Sequence, residues 1–222
     1  MKKRKAIITL LVIFLLLVIC AVGLMFARPF IERMQRAAIQ NRLMDDILSG
    51  SEAITLSDVP VVEGAGDEFG ATEELAAKRE RRPTIEVTGY AVIEIPCIEL
   101  AMPVVKGTDE ASLSAAAGWY TESAEVGAAG NTVILGHRMY GYGEHFNRLD
   151  EVKEGDEIII TLANNEYYVY TVTGTEVISP DVLMDTLAKH NEGFALTLVT
   201  CTPTGVGSHR LLVYAELTDS PE

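Results

Sequence analysis

Residues 85–222 of this 222-residue sequence predict a mainly β fold closed into a barrel, and three observations carry that prediction. Seven runs rich in β-branched and aromatic residues, bounded by turn residues, read as strands: Ile85–Ile95, Ile98–Met102, Thr132–Leu135, Glu157–Leu162, Tyr167–Ile178, Ala195–Thr200 and Arg210–Leu217. Helical intervals are few and short, around Ala111–Ala117, Glu144–Val152 and Pro180–His190. No repeat of 20–50 residues appears, which excludes a solenoid or propeller. Many strands with few helices favour a closed barrel over an open parallel sheet.

The elements ahead of this domain differ in character. Lys2, Lys3, Arg4 and Lys5 precede an uncharged run from Ala6 to Ala27. As a helix at ~1.5 Å per residue this run would span the ~30 Å hydrocarbon core of a bilayer, and it exceeds the ~7–15 apolar residues of a cleavable signal peptide. Residues 1–27 are therefore expected to be a cytoplasmic basic tip and a transmembrane anchor. The four leading cations orient it with the N-terminus in the cytoplasm, opposed in part by Arg28, Arg33 and Arg36. This places the protein in the cell membrane as a single-pass chain with its C-terminal domain outside.

Residues 28–84 form the second expected segment. From Pro29 to Leu48, Ile31, Met34, Ala38, Leu43 and Ile47 recur at helical spacing, and Ser49-Gly50 ends the pattern. From Asp45 to Ala77 there are nine acids and no base, with Gly64, Gly66 and Gly70 interspersed. That composition reads as a linker or a loosely docked cover. The basic stretch Lys78–Pro83 closes it.

Charge and composition exclude several classes. The whole chain carries 18 Lys and Arg against 32 Asp and Glu, a net of −14. Residues 85–222 hold six of the cations and 21 of the acids, a net of −15. Nucleic acid is not an expected partner, because phosphate contacts need clustered Lys and Arg. Three cysteines support neither a disulfide framework nor a four-ligand structural zinc site.

The chemistry gathers at three residues. Cys201 ends an apolar run and meets the loop Thr202–Gly207, where a thiol can stand at a surface on a rigid strand; free cysteine is otherwise a small buried hydrophobe. His137 follows the strand Thr132–Leu135 through Gly136, and imidazole exchanges protons near neutral pH. Arg210 opens the last strand, and its forked donors suit an acyl oxyanion; the plain alternative is a surface ion pair. His209 is adjacent, and neighbouring strand residues face opposite sides, so Arg210 and His209 are not expected to share a face. His145 and His190 fall in helical intervals and read as structural.

The segment Thr197-Leu198-Val199-Thr200-Cys201 followed by Arg210 resembles the TLxTC…R signature of sortases, the cysteine transpeptidases of Gram-positive surfaces. Asn131–Arg138 is similar to the strand that bears the sortase histidine. Ile93–Ile98 and Met102–Gly107 are similar to the first two barrel strands, and Phe146–Leu149 and Lys153–Asp156 fit the segment after the histidine. The resemblance covers about residues 85–217.

It implies an eight-stranded sortase-type barrel with Cys201 as nucleophile, His137 as general acid and base, and Arg210 as oxyanion stabiliser. By the same analogy the substrate is an LPxTG-like sorting signal of a secreted surface protein or pilin, cleaved through a thioacyl-enzyme. The acceptor is an amine of a peptidoglycan precursor or a pilin lysine. Thr200 is a candidate for positioning substrate, by hydroxyl or backbone contact. Ala91, Val104 and Val199 are candidates for an apolar groove. No cofactor is expected: some sortases use calcium, but acids are too abundant here to mark a coordination site. Cys97 and Cys201 are expected as free thiols.

The subclass is open between class C-like and class D/E-like. Cys201–Leu211 resembles the pilin-polymerising class C enzymes, yet the linker holds Asp67-Glu68-Phe69 where those carry an Asp-Pro-aromatic lid anchor. Two other function classes remain. A cell-wall cysteine hydrolase or L,D-transpeptidase would place His and Cys close together or in the reverse order. A non-catalytic anchored barrel would bind a surface partner without using Cys201.

Overall fold

The structure, a computed structural model, describes residues 2–51, 53–57, 59, 84–139 and 143–221. The chain divides into two compact units, Met1–Ala38 and Ile39–Glu222.

Lys2–Leu48 form one helix, α1. The apolar run and the segment after Pro29 are thus a single element: the helix continues unbroken from the run into the stretch holding Arg33, Arg36 and Arg42. Among the described residues no helix is long and apolar enough to cross a membrane. That finding overturns the expected transmembrane anchor, and with it the single-pass cell-membrane placement.

Nine strands follow among the described residues: β1 (Ala53–Leu56), β2 (Ile85–Ile95), β3 (Leu100–Lys106), β4 (Ala117–Trp119), β5 (Gly130–Leu135), β6 (Glu157–Leu162), β7 (Tyr167–Ile178), β8 (Phe194–Thr202) and β9 (His209–Asp219). The sheet order is β1-β2-β3-β4-β5-β8-β9-β7-β6, and β2 also pairs with β6. That last pairing closes β2–β9 into an eight-stranded barrel, with β1 added outside the circuit. Closure removes the free edges that an open sheet of this size would present. Two pairings are parallel, β3–β4 and β5–β8; the others are antiparallel.

The core fills the barrel. Ile93, Ile95, Met102, Ile134, Phe146, Ile158, Ile160, Tyr170, Leu196 and Leu198 lie in one buried cluster. A second cluster joins the last turns of α1 (Leu43, Ile47) to Ile54 and Leu56 of β1, Val59, Val87, Val105, Ala115 and Ala116. The barrel unit therefore begins at Ile39, well before the expected boundary at residue 85. Ile54 and Leu56 alternate with exposed Ala53 and Thr55, a half-buried strand pattern only four residues long within the acidic stretch. The Asp67-Glu68-Phe69 stretch, weighed as a possible lid anchor, and the basic stretch Lys78–Pro83 lie outside the described residues.

The helical intervals resolve into α2 (Glu110–Ala115), capped by Asp109 whose carboxylate accepts from Ala111 N and Ser112 N, and α3 (Leu183–Lys189). Three 3₁₀ turns, Pro96–Ile98, Phe146–Glu151 and Pro180–Val182, complete the set among the described residues. Strand β4 has no counterpart in the sequence reading because Ala-Gly-Trp carries no strand pattern. Gly118 is there for space: a Cβ would stand 2.2 Å from the Gly107 carbonyl oxygen.

Candidate active site

Three neighbouring strands, β5, β8 and β9, build the site. In β8, Leu196 and Leu198 point into the barrel, while Val199 packs outside with Val133, Ile178, Leu187 and Leu212. Both faces of β8 are covered, so it reads as a continuous apolar run rather than an alternating one. Cys201 continues the outward parity of Val199. Its partner in the antiparallel register is Arg210, directly opposite on β9. Opposed residues of an antiparallel pair share a face, with Cβ atoms ~4.5–5.5 Å apart.

His137 reaches the same face from the other side. In β5, Ile134 points inward and Val133 outward, and the ladder to β8 runs through Leu135↔Val199. Gly136 N–H then donates to the Val199 carbonyl at 3.0 Å, which keeps the parity for one more residue. The structure thus brings His137, Cys201 and Arg210 to one end of three adjacent strands, on one face. His209 pairs with Thr202 and takes the opposite face; its Nδ1 lies 2.9 Å from the Ser208 hydroxyl.

Cys201 and His137 are each half-buried, open enough for reaction and fixed by strand ends. The Arg210 guanidinium donates from Nη1 to the carbonyls of Gly207 (2.9 Å) and His209 (3.1 Å). The β8–β9 loop therefore holds the head group by one nitrogen. Main-chain hydrogen bonding also steadies the His137 loop: Phe146 N–H donates to the His137 carbonyl at 3.2 Å.

The stem beneath His137 is tight. A Cβ on Gly136 would lie 2.6 Å from the Phe146 ring, which is fully buried. Gly136→Ala is expected to push the His137 loop off the barrel, lowering stability by about 1–3 kcal/mol. A thermal denaturation series with Gly136→Ala alongside Phe146→Leu, which makes room, will check this; the double variant should recover part of the loss.

The remaining candidates are placed differently. Thr200 is buried, and its hydroxyl donates to the Gly136 carbonyl at 2.8 Å, so its side chain ties β8 to the His137 stem. Ala91 and Val104 are fully buried in the barrel core and Val199 in the cluster outside it, so these three line no common groove. A groove of about 260 Å³ lies at the start of β5 and against α3, lined by Tyr120, Asn131, Val133, Met184, Leu187 and Asn191 among others. It does not include the three candidates. His145 is buried, its Nε2 3.0 Å from Gln40 Nε2, and His190 stacks on Tyr214 with ring centroids 4.1 Å apart. Among the described residues no group of three or more His, Cys, Asp or Glu gathers to hold a metal ion.

Few cations serve this acidic domain, and the arginines are all engaged. Arg148 forks onto Glu151 (3.0 and 2.8 Å) and donates to the Ile98 carbonyl (2.8 Å). Arg138, adjacent to His137, is a residue the sequence reading passed over. It is buried, with Nη2 2.7 Å from Asp150 Oδ2 and Nη1 donating to the Thr202 hydroxyl at 2.9 Å.

Cys97 sits in the 3₁₀ turn Pro96–Ile98 as a free thiol, like Cys201. Although Cys97 is an exposed residue, partial desolvation of its sulfur pushes the thiol up to about 11, and the Asp156 carboxylate beside it adds to the rise. A raised pKa leaves little thiolate at neutral pH. In the folded protein at pH 8, iodoacetamide is expected to label Cys97 at least tenfold more slowly than in the denatured chain. Asp156→Asn should narrow that gap; peptide mapping after timed labelling gives both rates.

The sequence model of the Sortase domain family matches residues 93–218. Sortase A of Streptococcus agalactiae serotype III (strain NEM316) is 30% identical over 159 residues, 68% of this chain and 61% of that protein. Sortase A of Bacillus anthracis is 33% identical over 125 residues, 56% of this chain and 58% of the relative. The matched segments thus span about three-fifths of the length of these two relatives. Among solved structures, a Clostridium perfringens Sortase D5 transpeptidase superposes with a TM-score of 0.56 at 26% identity, covering 82% of this chain and 99% of that one.

Proposed function

The chain belongs to the sortase family, and from that premise we propose that it is a cysteine transpeptidase acting on an LPxTG-like sorting signal. The observation that supports the reading is that Cys201 and Arg210 are paired across β8 and β9, while His137 follows the end of the neighbouring strand β5 two residues beyond its last pairing with β8.

The chemistry runs in two balanced halves. The Cys201 thiolate attacks the carbonyl carbon of the threonine–glycine bond, forming a C–S bond and moving an electron pair onto oxygen. Arg210 faces this oxyanion as the charge acceptor. Collapse breaks the C–N bond, His137 gives its proton to the departing amine, and a thioester to threonine remains. An incoming amine then attacks the thioester and gives its proton to His137, and the thiolate leaves. One amide is exchanged for another, with no net redox change and no cofactor. The donors are sorting signals of secreted surface proteins or pilins. The acceptor is an amine of a peptidoglycan precursor or a pilin lysine.

The test is incubation of the reduced protein with LPxTG-like peptides and candidate amines, followed by intact-mass spectrometry. A peptide adduct on Cys201, discharged by one of the amines, is the expected result. No adduct with any peptide of the set rules the reading out. Arg210→Ala should slow adduct formation by about 10²-fold, the cost of one oxyanion donor, and Arg210→Lys should recover only part, since an ammonium lacks the fork. Initial rates of adduct formation measure both.

A further inference from the structure

We propose that Arg138 is a positioning residue that clamps the His137 loop to the Cys201 strand, acting one residue beyond each. This rests on the roles proposed above for His137 and Cys201.

The parallel β5–β8 ladder ends with Leu135↔Val199 and the Gly136 N–H bond to the Val199 carbonyl. His137 and Cys201 both lie past that point, so main-chain pairing between their strands does not set their separation. Two side-chain bonds take its place. Thr200 Oγ1 donates to the Gly136 carbonyl just before the pair, and Arg138 Nη1 donates to Thr202 Oγ1 just after it. Through Nη2 the same guanidinium reaches Asp150 at 2.7 Å. Asp150 belongs to the 3₁₀ turn Phe146–Glu151, which is anchored in the core by Phe146 and Leu149. The main chain of Arg138 also bridges His145, at the foot of that turn. One side chain therefore joins the loop after β5, the end of β8 and a turn fixed in the barrel.

Stability alone does not account for this residue. The Arg138 side chain is 5% exposed, yet its Nε has no hydrogen-bond partner among the described residues. Asp150 is 53% exposed, so its half of the pair is solvated. A buried charge with one unmet donor and a wet partner stabilises no better than an apolar side chain of similar size. What an apolar side chain cannot supply is the rigid fork that reaches two acceptors at once.

The experiment uses the full chain and needs no peptide substrate. The rate of Cys201 alkylation by iodoacetamide is followed from pH 5 to pH 10 by peptide mapping. Wild type, Arg138→Met, Thr202→Val and the double variant are compared, with His137→Ala as the reference for a thiol without its imidazole. The Arg138→Met profile is expected to move at least halfway from wild type to His137→Ala. Thr202→Val should move in the same direction, and the double variant no further than Arg138→Met, because both remove one link. Near-wild-type profiles in Arg138→Met and Thr202→Val, with His137→Ala clearly shifted, overturn the clamp and leave the sortase reading intact. Coincident wild-type and His137→Ala profiles overturn the pairing of thiol and imidazole, and the clamp with it. Should Arg138→Met fail to fold, as circular dichroism would report, Thr202→Val alone decides, since it removes only the acceptor.

Discussion

Cys201→Ala is expected to leave a folded barrel that forms no thioester and cleaves no sorting peptide. Cys201 is half-buried at the last outward position of β8 before Thr202, so losing one sulfur atom creates no closed cavity in the core. The stability change should stay below about 1 kcal/mol. The catalytic loss is of another order, because the other residue opposite Arg210 in the register is Ile178 of β7, which carries no nucleophile. Removing a nucleophile from a constellation that works as a unit costs on the order of 10⁶ in turnover. Discontinuous cleavage assays with mass detection of the released fragment cover that range down to the uncatalysed background. Cleavage retained within tenfold of wild type would exclude Cys201 as the nucleophile. A non-catalytic binding barrel would keep its partner association in this variant and show no cleavage even in wild type, so the same pair of proteins separates the two classes.

His137→Ala should cut turnover by about 10²–10⁴-fold, the range of a positioned general acid and base. The effect differs in kind from that at Cys201, since the thiol remains and can still be acylated. Departure of the amine now lacks its proton donor, so activated thioester substrates, which need none, should lose far less than the peptide. The pH dependence carries the second signature. A proton-transferring pair gives a bell-shaped profile of kcat/KM, and loss of the imidazole should leave one limb only. His145→Ala serves as the control for a histidine in the same loop: it is buried against Gln40 of α1 and is expected to alter stability rather than the shape of the profile. An unchanged bell in His137→Ala would remove this residue from the mechanism.

Legibility tracked how local each feature is. Strands β2, β6 and β7 were read to the residue, because Ile85–Ile95, Glu157–Leu162 and Tyr167–Ile178 combine β-branched runs with clear turn boundaries. The eight-stranded circuit followed from resemblance, since no property of a single strand announces the β2–β6 closure. Two short strands were invisible. Ala53–Leu56 is four residues within an acidic stretch, and Ala117–Trp119 exists because Gly118 lets the chain approach Gly107. In α1 the helical spacing from Pro29 to Leu48 was legible, and its continuity with the apolar run ahead of it was not. At the site, the residue types at 137, 201 and 210 were legible from their strand-end positions. Arg138 was not, because its value lies in contacts to Asp150 and Thr202, the latter 64 residues away in sequence.

The second hydrophobic cluster has a practical consequence for anyone expressing a fragment. Starting a clone at Ile85, where the sequence pattern changes, would discard β1 and the end of α1 together. Residues 85–88 of β2 would lose their backbone partners, and Val87, Val105, Ala115 and Ala116 would lose Leu43, Ile47, Ile54 and Leu56 as cover. An uncapped strand segment beside a bared apolar patch invites intermolecular pairing and precipitation. A fragment beginning at Ile39 keeps that seam closed, so the workable cloning boundary falls inside a helix rather than at the first strand of the barrel.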